Sequence, residues 1–214
     1  MSVSLPASVN LVGRFVRLQP LVEADLPELW RAIGRPEVFA GGYGGGAAGL
    51  PADERAFADF ARGYFPIFTQ AGTALTFAIR LVGGPHDGRL VGASSLGDVQ
   101  PAREAVHLGW TGYDPAVWGG AVNPEAKLLM LGLAFERGFG RVKIQADARN
   151  DRSRAAILKL GATFEGITRR DARRADGSWR DAAIHSIIGE DWPRVRSGLE
   201  ARLEDFDGPV VPRD

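Results

Sequence analysis

The 214-residue chain contains no cysteine, which removes disulfide staples, thiolate metal sites and a cysteine nucleophile together. Histidine is almost as scarce, with three residues, His86, His107 and His185. They are scattered, and neither an HxxxH pair nor an aspartate cluster accompanies them, so no metal site is expected. Nor is there a surplus of positive charge, because 26 Lys and Arg face 26 Asp and Glu. A nucleic-acid binder needs such a surplus to displace counterions, so that class of partner is not expected. No apolar run approaches the ~20 residues of a membrane span. Residues 1–18 lack the basic start and unbroken apolar core of a secretory signal. A soluble, cytoplasmic protein without membrane contact is the expectation.

What the chain does have is enough apolar surface for a sizeable core, 45% of residues, at a length that suits one decorated domain. Residues 1–12 read as a lead-in, 13–206 as a single domain and 207–214 as a flexible tail. Alternation at 14–18 suits a strand with Phe15 and Leu18 inward. Leu26, Leu29, Trp30 and Ile33 recur at helical spacing over 23–33, with Pro27 in the first turn. The run Gly41-Gly42-Tyr43-Gly44-Gly45-Gly46 predicts a loop without regular structure. A second helical pattern covers 52–70 and breaks at Pro66. Strand signals follow at 73–82, 89–96 and 104–113, as an antiparallel meander. The helix over 123–136 has Asn123 as its N-cap and Pro124 at its first position. A strand at 141–146, a helix over 150–160 closed by Gly161, strands at 163–169 and 179–188 and a helix over 191–203 complete the pattern. Such an order gives an α+β domain on one mixed sheet.

Chemistry concentrates in 110–127. A strand ends at Asp114-Pro115, and Trp118-Gly119-Gly120-Ala121-Val122-Asn123 then opens the best helix of the chain. Small residues let backbone approach a ligand, and first-turn N–H groups lack intrahelical partners. With the helix dipole they suit a phosphate or pyrophosphate. A glycine turn that merely joins a strand to a helix fits this segment equally well. About 25 residues on, a second helix begins at Asn150-Asp151-Arg152-Ser153-Arg154 and ends in Leu160-Gly161-Ala162.

These two blocks in succession resemble the acetyl-coenzyme A core of the GNAT acetyltransferases, nearest the RimJ and RimL branch, and the resemblance spans roughly residues 13–192. It implies a GNAT-like central mixed, mostly antiparallel sheet flanked by helices. It also implies transfer of an acetyl or similar acyl group from acetyl-CoA, or another acyl-CoA, to a primary amine by direct attack in a ternary complex. The acceptor would be a small molecule or a protein N-terminus, and a homodimer is allowed. By this resemblance Trp118, Gly119, Gly120, Ala121, Val122 and Asn123 form the pyrophosphate turn, Trp118 replacing the usual Gln or Arg and Ala121 the usual Gly. Leu108, Gly109 and Trp110 offer backbone to the pantetheine arm, as an added strand would. Asn150, Ser153 and Arg154 lie near the cofactor. Asn150 serves equally well as an ordinary N-cap.

His107 stands where many relatives carry Glu, and an imidazole with a reference pKa near ~6.5 suits a general base. A half-buried strand histidine without catalytic duty is the competing reading, with Glu104 and Asp98 as less well placed bases. Ile157 occupies the position of the family's acid Tyr, which leaves Ser153 or water to protonate the thiolate. Residues 149–181 hold eight Arg and one Lys against five acids. Arg169 and Arg170 on the last hairpin, with His185 in the last strand, are candidate acceptor contacts. A solvated hairpin face is the plainer meaning of such a run. Two other readings compete: a degenerate GNAT domain that only binds coenzyme A, and a nucleotide binder of unrelated fold, disfavoured by the lack of GxxxxGK[ST] or GxGxxG.

Overall fold

The computed structural model describes residues 3–213. Eight strands form one sheet: β1 (Leu11–Val12), β2 (Val16–Pro20), β3 (Leu75–Leu81), β4 (Leu90–Gln100), β5 (Ala105–Tyr113), β6 (Arg141–Asp147), β7 (Thr163–Arg173) and β8 (Trp179–Ile188). Their order is β1-β2-β3-β4-β5-β6-β8-β7. Every neighbouring pair is antiparallel except β5 and β6, which run parallel. The mixed, mostly antiparallel α+β sheet therefore matches the expectation.

Side chains alternate across the sheet and divide the core in two. On one face Leu29, Ile33, Phe39, Phe57 and Phe65 pack over Ala78 and Ala93. They come from α1 (Leu26–Ile33), α2 (Pro36–Ala40), α3 (Glu54–Tyr64) and the stretch before α4 (Pro66–Thr69). The other face carries α5 (Val122–Glu136), α6 (Asp151–Lys159) and α7 (Trp192–Glu204), whose Met130, Leu131, Ile157 and Leu199 cover Phe77, Ile79, Leu96 and Leu108.

A buried carboxylate fixes α5 to the sheet. Glu125 accepts from the backbone N–H groups of Arg14, Phe15 and Val16, each at 2.7 Å. Three N–H donors compensate the charge that burial would otherwise penalise. Gly13 is required beside it, because a Cβ there would sit 2.4 Å from the Glu125 carboxyl carbon.

Three local expectations are corrected. Asn123 does not cap α5: Ala121 is the N-cap and already has helical angles, φ −71° and ψ −20°. The helix thus starts at Val122, with Pro124 still in the first turn, where its missing N–H has no intrahelical role. The glycine run is not wholly irregular, since 3₁₀ turns occupy Tyr43–Gly45 and Ala47–Gly49. The lead-in contributes the short edge strand β1.

Candidate active site

β5 and β6 pair only through Ala105–Arg141, Val106–Val142 and His107–Lys143. Beyond His107 they part, because β5 is bulged. Ala93 to Ser95 on β4 faces the longer stretch Gly109 to Gly112 on β5, and Trp110 within it takes φ +50°. An extra residue bends its strand and leaves backbone groups without ladder partners. The gap that opens is a cavity of about 410 Å³ lined by both strands, the start of α5 and the start of α6, a size that suits a small-molecule ligand.

His107 stands at the parting of the strands, buried and lining the cavity. Its Nδ1 lies 3.0 Å from Asp98 Oδ2 across the β4–β5 pair. An ionised carboxylate only accepts, so Nδ1 carries the hydrogen and Nε2 keeps its lone pair. That Nε2 is buried and has no partner among the described residues. Burial pushes the imidazole below its ordinary range and outweighs the opposing effect of the hydrogen bond to Asp98. The same hydrogen bond holds the Asp98 carboxyl low. Gly109 makes room for the ring, since a Cβ there would lie 2.8 Å from Nε2.

The α5 end of the cavity is cationic and rich in backbone N–H groups. Val117, Trp118, Gly119 and Asn123 line it, while Ala121 and Val122 are buried behind. Gly119 needs its φ of +78°, a conformation that strains any other residue. Trp118 donates Nε1–H to the Tyr113 carbonyl at 3.1 Å, and the Arg152 guanidinium lies 3.6 Å over its ring.

Lys127, which no pattern in the sequence singles out, lines the cavity one turn beyond Asn123 and is only 3% exposed. Its ammonium donates to Ser94 Oγ at 2.7 Å and Thr111 Oγ1 at 2.8 Å. Burial lowers its pKa to about 7.

Asn150 caps α6, its Oδ1 accepting from Ser153 N–H at 2.9 Å, while its Nδ2 donates to the Gly41 carbonyl and ties the glycine loop to the site. Asn150 and Ser153 line the cavity. Arg154 does not; its guanidinium donates to the Ala148 carbonyl at 3.2 Å. Arg169 and Arg170 are exposed on β7, and His185 is buried beside Phe164 with ring centroids 5.3 Å apart. None of those three lines the cavity. Arg180 does, together with Tyr43 and Tyr64. The Tyr43 hydroxyl is buried without a partner among the described residues, and burial raises its pKa well above the ordinary phenol range. Arg174 pairs with buried Asp147 at 2.6 Å, and Ala175 N–H donates to the Gly45 carbonyl at 3.0 Å. The β7–β8 hairpin thereby clasps the glycine loop.

Residues 16–163, more than half of the chain, match the family model of the acetyltransferase (GNAT) domain. The chain belongs to the GNAT acetyltransferase family. It is similar to an acetyltransferase candidate from T. thermophilus, at 34% identity over 91% of this chain and 96% of the other, with a TM-score of 0.77. A GCN5-related N-acetyltransferase from Brucella melitensis has 25% identity over 97% and 91% of the two chains and a TM-score of 0.82. Mycobacterium smegmatis RimJ, solved with CoA-disulfide, shares the fold at 21% identity over 94% and 93%, with a TM-score of 0.70. No curated protein matches the sequence. As a GNAT enzyme the chain transfers an acyl group from acyl-coenzyme A to an amine; a domain that only binds the cofactor is not favoured.

Proposed function

We propose that the gap between β5 and β6 receives acetyl-coenzyme A, and that His107 is the base for a primary amine at its far mouth. The observation that carries this is the unpartnered Nε2 lone pair beside two parted strands. The residues present fit the cofactor. Backbone along 108–110 and 144–147, where the two strands no longer pair with each other, suits the amide-rich pantetheine arm. The first turn of α5, with Lys127 and Arg152 nearby, suits pyrophosphate. Acetyl-coenzyme A would supply an acyl group activated as a thioester.

The protein's own part is to hold and to move protons. Asp98 fixes the His107 tautomer, so Nε2 can take the proton of the attacking amine. A depressed pKa keeps that nitrogen unprotonated at neutral pH. Two hydroxyls in the lining, Ser153 and Tyr43, can return a proton to the departing thiolate. On the acceptor side Arg180 lines the cavity, whereas Arg169 and Arg170 lie outside and steer an acidic acceptor at longer range. His185 backs this wall from within the sheet. A small amine or a protein N-terminus, the latter in keeping with the RimJ-like fold, is the acceptor class, and the enzyme works in the cytoplasm. Acetyl-coenzyme A titration, followed by thiol release with a panel of amines, tests this reading.

A further inference from the structure

After α7 the chain returns to the cofactor end of the molecule. The Phe206 ring meets Phe15 edge-on at 6.3 Å, and its carbonyl accepts from Arg14 Nη2 at 2.6 Å. Pro209 lies against Gly84, where an added Cβ would come within 2.7 Å of its Cγ. Val210 packs on the core, and Arg213 N–H donates to the Ala116 carbonyl at 2.9 Å. That last bond joins the segment to the 3₁₀ turn Pro115–Val117, immediately before the glycine turn.

The Arg213 side chain is thereby carried to Gly119. A Cβ on Gly119 would lie 3.5 Å from its Nη2, so the guanidinium reaches van der Waals distance of the turn. Arg213 is exposed and makes no ion pair or side-chain hydrogen bond among the described residues. Gly119 and Arg152 line the cavity, and Arg213 does not. Its charge therefore stands on the outer lip of the site, carried there by the backbone hydrogen bond to Ala116.

Coenzyme A carries two kinds of phosphate. The pyrophosphate follows the pantetheine arm directly and belongs with the first turn of α5 and the cations inside. The ribose 3′-phosphate is a monoester at the end of the molecule remote from the thioester, and it falls outside such a cavity. A guanidinium presents parallel N–H donors that match a dianionic monoester. We propose that Arg213 binds the 3′-phosphate of the cofactor, so that the carboxy-terminal segment forms part of the cofactor site; this rests on the coenzyme A reading above.

Calorimetric titration with coenzyme A and with 3′-dephospho-coenzyme A tests it on the full chain, wild type against Arg213→Gln and Arg213→Lys. An exposed ion pair is worth up to about 1 kcal/mol, or roughly fivefold in affinity. The wild type should prefer coenzyme A by about that factor. Arg213→Gln should lose the preference while binding the dephospho form as the wild type does, and Arg213→Lys should keep part of it. Wild-type binding of coenzyme A with an unchanged preference in Arg213→Gln overturns this inference alone. Equal weakening toward both ligands also overturns it, by assigning Arg213 to the pyrophosphate or the fold. A wild type that binds neither ligand overturns the coenzyme A reading with it.

Discussion

His107 Nδ1 and Asp98 Oδ2 lie 3.0 Å apart across β4 and β5, and this single contact places the hydrogen on Nδ1 and leaves Nε2 its lone pair. Asp98 reaches the ring from a left-handed conformation, φ +49°, at an irregularity in the β4–β5 register. Activity should therefore depend on both residues, and unequally. His107→Ala and His107→Gln should each lower kcat by ~100-fold or more, with little change in cofactor affinity. Asp98→Asn should cost less, because Nε2 remains while its tautomer is no longer enforced. Burial lowers the His107 pKa, so the acidic limb of the rate profile should lie below the ordinary histidine range. His107→Glu should keep activity and move that limb further down, toward a carboxylate pKa. Near-normal kcat in both the Ala and Gln variants on the true acceptor would make His107 structural.

The glycine turn offers a separate handle on the cofactor. Gly120 has room for a side chain, since its added Cβ meets only the Val117 carbonyl, at an ordinary 3.5 Å. Gly120→Asp should therefore fold. Gly120 itself does not line the cavity but adjoins Gly119, which does, and a carboxylate on this turn should abolish the rise in Tm that acetyl-coenzyme A produces by mass action. Thermal shift against ligand concentration reads this directly. An undiminished shift would move the pyrophosphate elsewhere.

Lys127 is a buried amine in the cavity lining, and its burial makes stability depend on pH. Its pKa falls to about 7 on burial, against an ordinary value near ~10.4. Between those values the unfolded chain binds more protons than the folded one, so this residue's contribution to stability rises with pH across that window. Lys127→Met keeps the length and removes the buried amine. It should raise the Tm of the free protein by several degrees at pH 7 and below, and by less toward pH 10. The same variant should weaken coenzyme A binding. A lower Tm at neutral pH would mean that the hydroxyl contacts outweigh the burial of charge.

Much of this was legible in the sequence. Alternation marked the central strands, and α6 was bracketed by Asn150 ahead of it and Gly161 behind it. The glycine turn ahead of α5 was visible as a run of small residues, although its local pattern fits a plain strand-to-helix connection equally well. Other features depend on geometry that no local pattern encodes. The Asp98–His107 contact needs the strand register. Lys127 interrupts an apolar helix as any surface lysine would, and only the bulge at Trp110, by bringing Thr111 beneath it, gives it a polar cage. Arg180 is one arginine among eight in 149–181, and only the pairing of β8 with β6 and β7 turns it toward the cavity rather than solvent.

That distinction among arginines gives an expectation on the acceptor side. Arg180→Ala should raise the acceptor KM several-fold, an effect that persists in high salt because the side chain is largely enclosed. Reversing Arg169 and Arg170 to Glu should raise it only at low ionic strength, where exposed charges act at a distance. Steady-state kinetics at two salt concentrations separate the two. Parallel loss of cofactor affinity in either variant would assign the arginines to the cofactor or the fold.

The most direct measurement is thiol release from acetyl-coenzyme A in the presence of a panel of primary amines and amino-terminal peptides, with product mass read in parallel. Wild-type protein should release free thiol in step with an acceptor gaining one acetyl group, and His107→Gln should bind acetyl-coenzyme A yet release almost none. Tight binding of acetyl-coenzyme A with no acylated product across the panel, and no difference between wild type and His107→Gln, would contradict the account.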